Sequence, residues 1–340
     1  MGVQENRGPE VQIVVWIMYV LALASVLLRV YVRAGLLEAF GADDCLMIIA
    51  MVSFTLHTGF CLSGVAHGTG QHAWNLDLAD ISIALKNWWF CYLWYCTTMI
   101  FSKASIAFFL LRITPFRSHR LTIYIALGIS VFISTAFFFI AMFQCSPISF
   151  FWTRIPGTGS CIDIGIIIDI TYVYSAFAIL TDFTFTLLPI WLVKDLQVDR
   201  RTKYALIPIL SLAAVASCAV IVRLAYVQKF READFLWATT DIAIWSQVEQ
   251  ALAIAAGSLS TLQPLFRMAL ARLGFKSLSL QSGGIASLGR KPKGSMGSGV
   301  KSNGLSSSTR IALQSLNSPS TFTRLGDSDS NLVQEGKWSP

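Results

Sequence analysis

The chain has 340 residues, of which 54% are hydrophobic and only 13% charged, with a mean hydropathy of +0.60. Soluble domains carry about 25% charged residues, and a water-facing surface for a chain of this size cannot be assembled from so few. The composition excludes a soluble enzyme and a disordered protein, favours a polytopic all-α membrane protein, and makes the net charge of +7 a topology signal, with no nucleic-acid partner expected.

Residues 1–10 are short and polar and carry a single Arg7. They read as an external N-terminus, without the basic region and small-residue cleavage site of a signal peptide. A membrane-crossing helix needs about 20 apolar residues. Seven runs qualify, at about 11–33, 45–66, 88–111, 121–143, 165–193, 204–227 and 241–266. Backbone groups in lipid must pair within the segment, so each run is read as a helix. Residues 11–266 thus form a seven-helix membrane domain, with lipid as its first partner.

The connecting segments set the orientation. Arg29 and Arg33, then Arg112, Arg117 and Arg120, then Lys194, Arg200, Arg201 and Lys203, then Arg267, Arg272 and Lys276 fall on one side, twelve in all. Arg7, Lys86, Arg154, Lys229 and Arg231, five residues, fall on the other. The positive-inside rule places the N-terminus outside and the C-terminus in the cytosol. Residues 267–276 read as a juxtamembrane amphipathic segment against the anionic leaflet. Residues 277–340, rich in Ser and Gly, lack the apolar surface to fold alone and read as a disordered cytosolic tail. The plasma membrane is the expected location, an endomembrane the alternative.

In chain order, the segment after the second run places His67 and His72 around Gly68 and Gly70, ahead of Trp74, Asp77 and Asp80. Two imidazoles near two carboxylates are weak candidates for a metal, since the spacing matches no standard zinc motif; glycines that only turn the chain are the simpler reading. Residues 76–86 read as a separate amphipathic helix on the external surface. Lys103 in the third run and Asp182 in the fifth lie at similar depth in the cytosolic half, natural partners for an intramembrane ion pair that acts as strut or switch. After the fourth run, Cys145 and Cys161 flank a polar loop where a disulfide can persist, with Cys91 as a competing partner. Asp169, Arg223, Asp241 and Glu249 lie in the external half. One cation facing three carboxylates suggests a ligand cavity favouring a cation or a hydrogen-bond donor; a structural Arg223–Glu249 pair is the plainer alternative.

Several of these features, taken in order, resemble the fungal rhodopsin-domain family of integral membrane proteins. They are Asp43-Asp44 opening the second run, the glycine-rich 67–72 loop, Lys103-Ala104-Ser105, and Gln144-Cys145-Ser146-Pro147 with Trp152 and Cys161. Asp182 with Pro189, Trp245 to Glu249, and Pro264-Leu265-Phe266 complete the set. The resemblance covers about residues 10–270 and implies a seven-helix fold. The family includes receptor-like proteins linked to surface sensing and pathogenicity, and membrane proteins of mycotoxin and other secondary-metabolite gene clusters. A retinal protein needs a Schiff-base lysine in its last helix. Residues 241–266 contain none, so no cofactor is expected. Leu110-Leu111-Arg112-Ile113 closes the third run without the Asp-Arg-Tyr triplet of animal receptors.

Three functions follow as expectations. The first is a receptor-like sensor of an extracellular or metabolite ligand, read by a cytosolic signalling partner at the inner loops and tail. The second is an exporter, against which stands the lack of an inverted repeat. The third is an accessory or biosynthetic membrane protein of a metabolite cluster, against which stands the lack of a recognised nucleophile or metal motif; an enzyme is the weaker reading. The topology is directly checkable: a fluorescent protein fused after Pro340 is expected in the cytosol, and a C-terminal epitope stained on intact, unpermeabilised cells would overturn it.

Overall fold

The computed structural model describes residues 6–188 in full, 189–195 as helical backbone, and residues 215, 218–232 and 234–262. The chain divides into two units, 1–278 and 279–340, and the described residues all belong to the first. The segments 267–276 and 277–340, the motif 264–266, the basic residues Arg200, Arg201 and Lys203, the side chain of Lys194, and most of the sixth run lie outside the described residues.

The first helix, α1, spans Gly8–Val30 and continues as a π-helical turn, Tyr31–Leu36. It is followed by α2, Ala42–Ala66, α3, Leu78–Ile113, and α4, Arg117–Met142. A short hairpin and α5, Phe150–Thr153, lead to α6, Ile164–Asp195. Helical residues 218–226 (α7), a 3-10 turn Val227–Arg231, α8, Phe235–Ala238, and α9, Thr240–Ser260, complete the order. Five helices are long and apolar enough to cross a membrane, among the described residues: Gly8–Leu36, Ala42–Ala66, Leu78–Ile113, Arg117–Met142 and Ile164–Leu188.

Burial is inverted relative to a soluble bundle. Ile13, Trp16, Ile17 and Val20 of α1, Tyr124 and Phe132 of α4, and Val173 and Leu180 of α6 are exposed. The interior instead holds Ser102, Ser105, Thr181, Ser175, Gln247 and Gln250. An outer face of large apolar side chains around small and hydroxylated ones is the pattern that lipid as solvent selects, because lipid supplies no hydrophobic force between helices. α2 packs most extensively on α3, and α9 packs on α1, α2 and α3. Gly257 permits that close approach: a Cβ there would lie 2.6 Å from Met47 Cε and 2.9 Å from Ile106 Cγ1.

Two expectations change here. Residues 76–86 do not form a separate surface helix. From Leu78 they are the first turns of α3, which runs unbroken for 36 residues because no Pro or Gly interrupts it. Arg29 and Arg33 are not solvated loop charges either. They are one turn apart, both buried, and meet the two acids that open α2. Arg29 Nε lies 2.7 Å from Asp44 Oδ1 and its Nη2 2.8 Å from Asp43 Oδ2. Arg33 Nη2 lies 2.7 Å from Asp43 Oδ2 and its Nε 3.1 Å from Asp44 Oδ2.

The cluster reaches further. Arg29 Nη1 donates to the Gly257 carbonyl of α9 at 2.9 Å, and Ser105 Oγ of α3 donates to the Asp43 carbonyl at 2.6 Å. Asp44 also accepts from the Gly41 N–H at 2.9 Å, so it caps α2 while favouring its positive end. Four helices are thus clamped at the end of the bundle opposite the Cys145–Cys161 hairpin.

Removing one member of a buried ion cluster strands its partners, at a cost of about 3–5 kcal/mol. Arg29→Leu is expected to show that loss as reduced yield and a lowered Tm in detergent. Arg33→Leu is expected to lose less, because its side chain is 8% exposed against 1% for Arg29. A Tm unchanged in Arg29→Leu would show that the cluster does not hold the bundle.

Candidate functional site

The hairpin end is closed by three short segments. β1, Cys145–Ser146, pairs antiparallel with β2, Ser160–Cys161, and Cys145 opposite Cys161 forms a disulfide; Cys91 remains a free thiol. Beside it the 67–72 loop crosses to the segment before α9. The Gly70 N–H donates to the Leu236 carbonyl at 3.1 Å, and the Arg7 N–H donates to the Gly70 carbonyl at 2.9 Å. Gly70 has φ +90°, and a Cβ there would lie 2.9 Å from the Gly8 nitrogen, so only glycine suits this crossing.

His67 and His72 do not act together. His67 Nδ1 pairs with the Ser63 carbonyl of its own helix at 2.8 Å. His72 stacks between Trp74 and Trp237, with ring centroids 4.1 Å from each, and its Nδ1 lies 2.5 Å from Asp234 Oδ2. Asp234 Oδ1 also accepts the Ala73 N–H at 3.1 Å. The histidine's carboxylate is therefore Asp234, distant in sequence, and not Asp77 or Asp80. The two imidazoles turn to different partners because a helix end holds one and a loop-to-loop strap holds the other. No group of three or more metal-ligating side chains is present among the described residues.

Beneath this strap lies a cavity of about 740 Å³, open solvent included, bounded by α2, α3, α4, α6, α7 and α9 and covered by Thr69, Val227 and Phe230. Its wall is rich in aromatic side chains, among them Phe60, Trp88, Tyr92, Phe137 and Tyr174. The polar part is a buried cluster around Arg223. Arg223 Nη1 lies 3.0 Å from Glu249 Oε2 and also donates to the Tyr95 hydroxyl; Nη2 donates to Ser175 Oγ at 3.3 Å. Tyr95 donates to Glu249 Oε1 at 3.0 Å and accepts from the Tyr174 hydroxyl at 3.4 Å. Arg223 and Glu249 are 5% and 1% exposed, so each charge depends on the other.

The remaining candidate residues separate from this pair. Asp241 pairs with Arg7 Nη2 at 2.7 Å and Lys229 Nζ at 3.4 Å, above the cavity. Asp241 and then Glu10 hold the Arg7 guanidinium charged well above its ordinary range. Asp169 is exposed and does not join the cluster. It stands two residues from the cavity-lining Thr171, which is about 200° around a helix of 3.6 residues per turn. The surplus of negative charge expected from one arginine and three carboxylates therefore does not arise: Glu249 and Asp241 each have a cation of their own, and Asp169 lies outside.

Deeper in the bundle Lys103 Nζ lies 2.9 Å from Asp182 Oδ1, and donates to Thr181 Oγ1 at 3.0 Å and the Ala178 carbonyl at 3.4 Å. That satisfies all three ammonium protons. Tyr95, Tyr174, Ser175 and Asp234 were not legible as site residues, because single aromatics and hydroxyls carry no spacing signal. Asp43 and Asp44 with Arg29 and Arg33 did carry one: two arginines a turn apart facing paired acids across a short link.

The fungal rhodopsin domain matches residues 28–268 of the chain, and the protein belongs to that family. With its apolar helices this places it in a membrane. Satratoxin biosynthesis SC1 cluster protein 4 of Stachybotrys chartarum is 24% identical over 143 residues, 42% of this chain and 49% of that relative. The chain thus spans about half the length of the curated relative it matches. No solved structure matches the chain. Retinal does not fit the residues present: α9 offers no lysine, and Lys103 is committed to Asp182.

The depth-matched pair is open to a double-mutant cycle. Lys103→Met or Asp182→Leu alone is expected to cost about 3–5 kcal/mol and lower folded yield. The double change is expected to recover much of it. Strictly additive losses in detergent-solubilised Tm would show that the two do not interact.

Proposed function

We propose that this protein is a receptor-like membrane sensor. An extracellular molecule or metabolite occupies the cavity beneath the strap, and the surrounding helices report its presence to a cytosolic partner. One observation carries the reading. The cavity wall holds a buried charge cluster whose members sit on four separate helices: Tyr95 on α3, Ser175 on α6, Arg223 on α7 and Glu249 on α9. A ligand that touches one member acts on the packing of all four, which is what a population shift between helix arrangements requires. The seven-helix count and the external N-terminus belong to this reading, since they put the strap where a ligand arrives from outside. The plasma membrane is the matching location.

A second reading rests on the relative's name. A role in export or in one step of a secondary-metabolite pathway would make the cavity a carrier or substrate site. Deleting the gene and complementing with Ala243→Trp, which fills the cavity wall, separates the two. The sensor reading expects pathway products and intermediates to stay unchanged while a transcriptional response to culture extract is lost in both strains. An accumulated intermediate, or product retained in cells with the response intact, would replace it with the second reading.

A further inference from the structure

We infer that the cavity takes a neutral, largely apolar ring compound bearing a hydrogen-bond-accepting oxygen. The inference rests on the cavity being a ligand site, and it specifies the ligand's chemistry.

Charge balance comes first. The one arginine on the wall, Arg223, already faces Glu249 at 3.0 Å. Asp241 is taken by Arg7 and Lys229, Asp169 is exposed, and Lys103 and Asp182 hold each other. A cationic or anionic ligand entering here would shed its water and find no unpaired countercharge among the described residues, which is costly in a low-dielectric site. An anion could reach Arg223 only by displacing Glu249, leaving a second buried charge stranded.

The walls come second. Phe60, Trp88, Tyr92, Phe137, Val227 and Phe230 present flat and apolar surface. Ring faces stack on aromatic side chains, so a wall of this composition suits a flat, apolar ring system.

Hydrogen-bond donors come third. Both terminal nitrogens of Arg223 are engaged, but its Nε–H is buried and without a hydrogen-bond partner among the described residues. Buried donors are paired in almost all native structures. Arg223 itself lines the cavity and is 5% exposed, so a ligand oxygen is a natural acceptor for its proton. A carbonyl, ether or hydroxyl oxygen accepts it without adding charge. Charge counting alone favoured a cation or a hydrogen-bond donor; the paired charges remove the case for a cation.

The test uses the full chain in lipid nanodiscs and three naphthalene probes of similar size. They are 6-propionyl-2-dimethylaminonaphthalene, a neutral ketone; 1-anilinonaphthalene-8-sulfonate, an anion; and the 5-dimethylaminonaphthalene-1-sulfonamide of 2-aminoethyltrimethylammonium, a cation. Binding is read as saturable energy transfer from tryptophan, with the Ala243→Phe chain, which fills the cavity wall without adding a tryptophan, giving the lipid-partition background. The ketone is expected to saturate at one site per chain, with transfer reduced in Trp88→Phe. Arg223→Lys keeps the charge for Glu249 while removing the Nε–H. It is expected to fold and to weaken the ketone about tenfold, the effect of one hydrogen bond. Equal or tighter binding of either charged probe, unchanged affinity in Arg223→Lys, or no saturable ketone binding would each overturn the inference. Ketone binding without any cellular response would instead sink the sensor reading and leave this one standing. A cellular response from a chain that prefers a charged probe would do the reverse.

Discussion

A charge in the interior of a membrane bundle has no water to turn to, so it must find its counterion on another helix. That constraint organises this protein. Arg29 and Arg33 find Asp43 and Asp44, Lys103 finds Asp182, and Arg223 finds Glu249. Helices in lipid gain little from burying apolar surface against each other. Directional contacts of this kind therefore decide which helices are neighbours and at what height. The cost of separating such a pair keeps the arrangement discrete.

The two ends of the bundle use the constraint differently. At the Asp43–Asp44 end, four charges, a serine and two backbone carbonyls interlock α1, α2, α3 and α9 directly. At the hairpin end the same kind of pair puts Arg223 in one wall of a cavity, with Glu249 buried behind it. Above it, the crossing made by Gly70, His72 and Asp234 ties two loops over the opening. The bundle thus has a clamped end and a hollow end. The disulfide and the Arg7–Asp241 pair restrain the rim.

The family assignment and the cavity meet at the same residues. Trp245 to Glu249, part of the order by which the chain resembles its family, contains the carboxylate that neutralises Arg223. Glu249 is held by Tyr95 as well as by the arginine, so its position is set by two helices at once. The cavity's character follows from that neutralisation: an aromatic box with an open donor, not an electrostatic trap.

Membrane residence and the common level at which Lys103 and Asp182 meet were legible in the residues themselves, as were seven apolar runs, five of which match described helices long and apolar enough to cross a membrane. They depend on local composition and on the fixed rise of a helix, which need no knowledge of neighbours. Lys103 with Asp182 was legible as a pair, and Arg223 with Glu249 as one of two alternatives; which of the remaining charges meet was decided only by the tertiary structure. Arg29 and Arg33 read as loop charges until α2 brought two carboxylates back to them, and Asp169, a helical half-turn from Thr171, faces away from the cavity it was expected to line. His72 met a carboxylate from across the chain, at position 234. Pairing is set by helix rotation and by loops that return distant segments to one place, and neither leaves a periodic mark in sequence. The sum of charges in the hairpin half suggested an acidic cavity. Their placement made it neutral, because electrostatics in a low-dielectric interior depends on distance between particular atoms and not on the count.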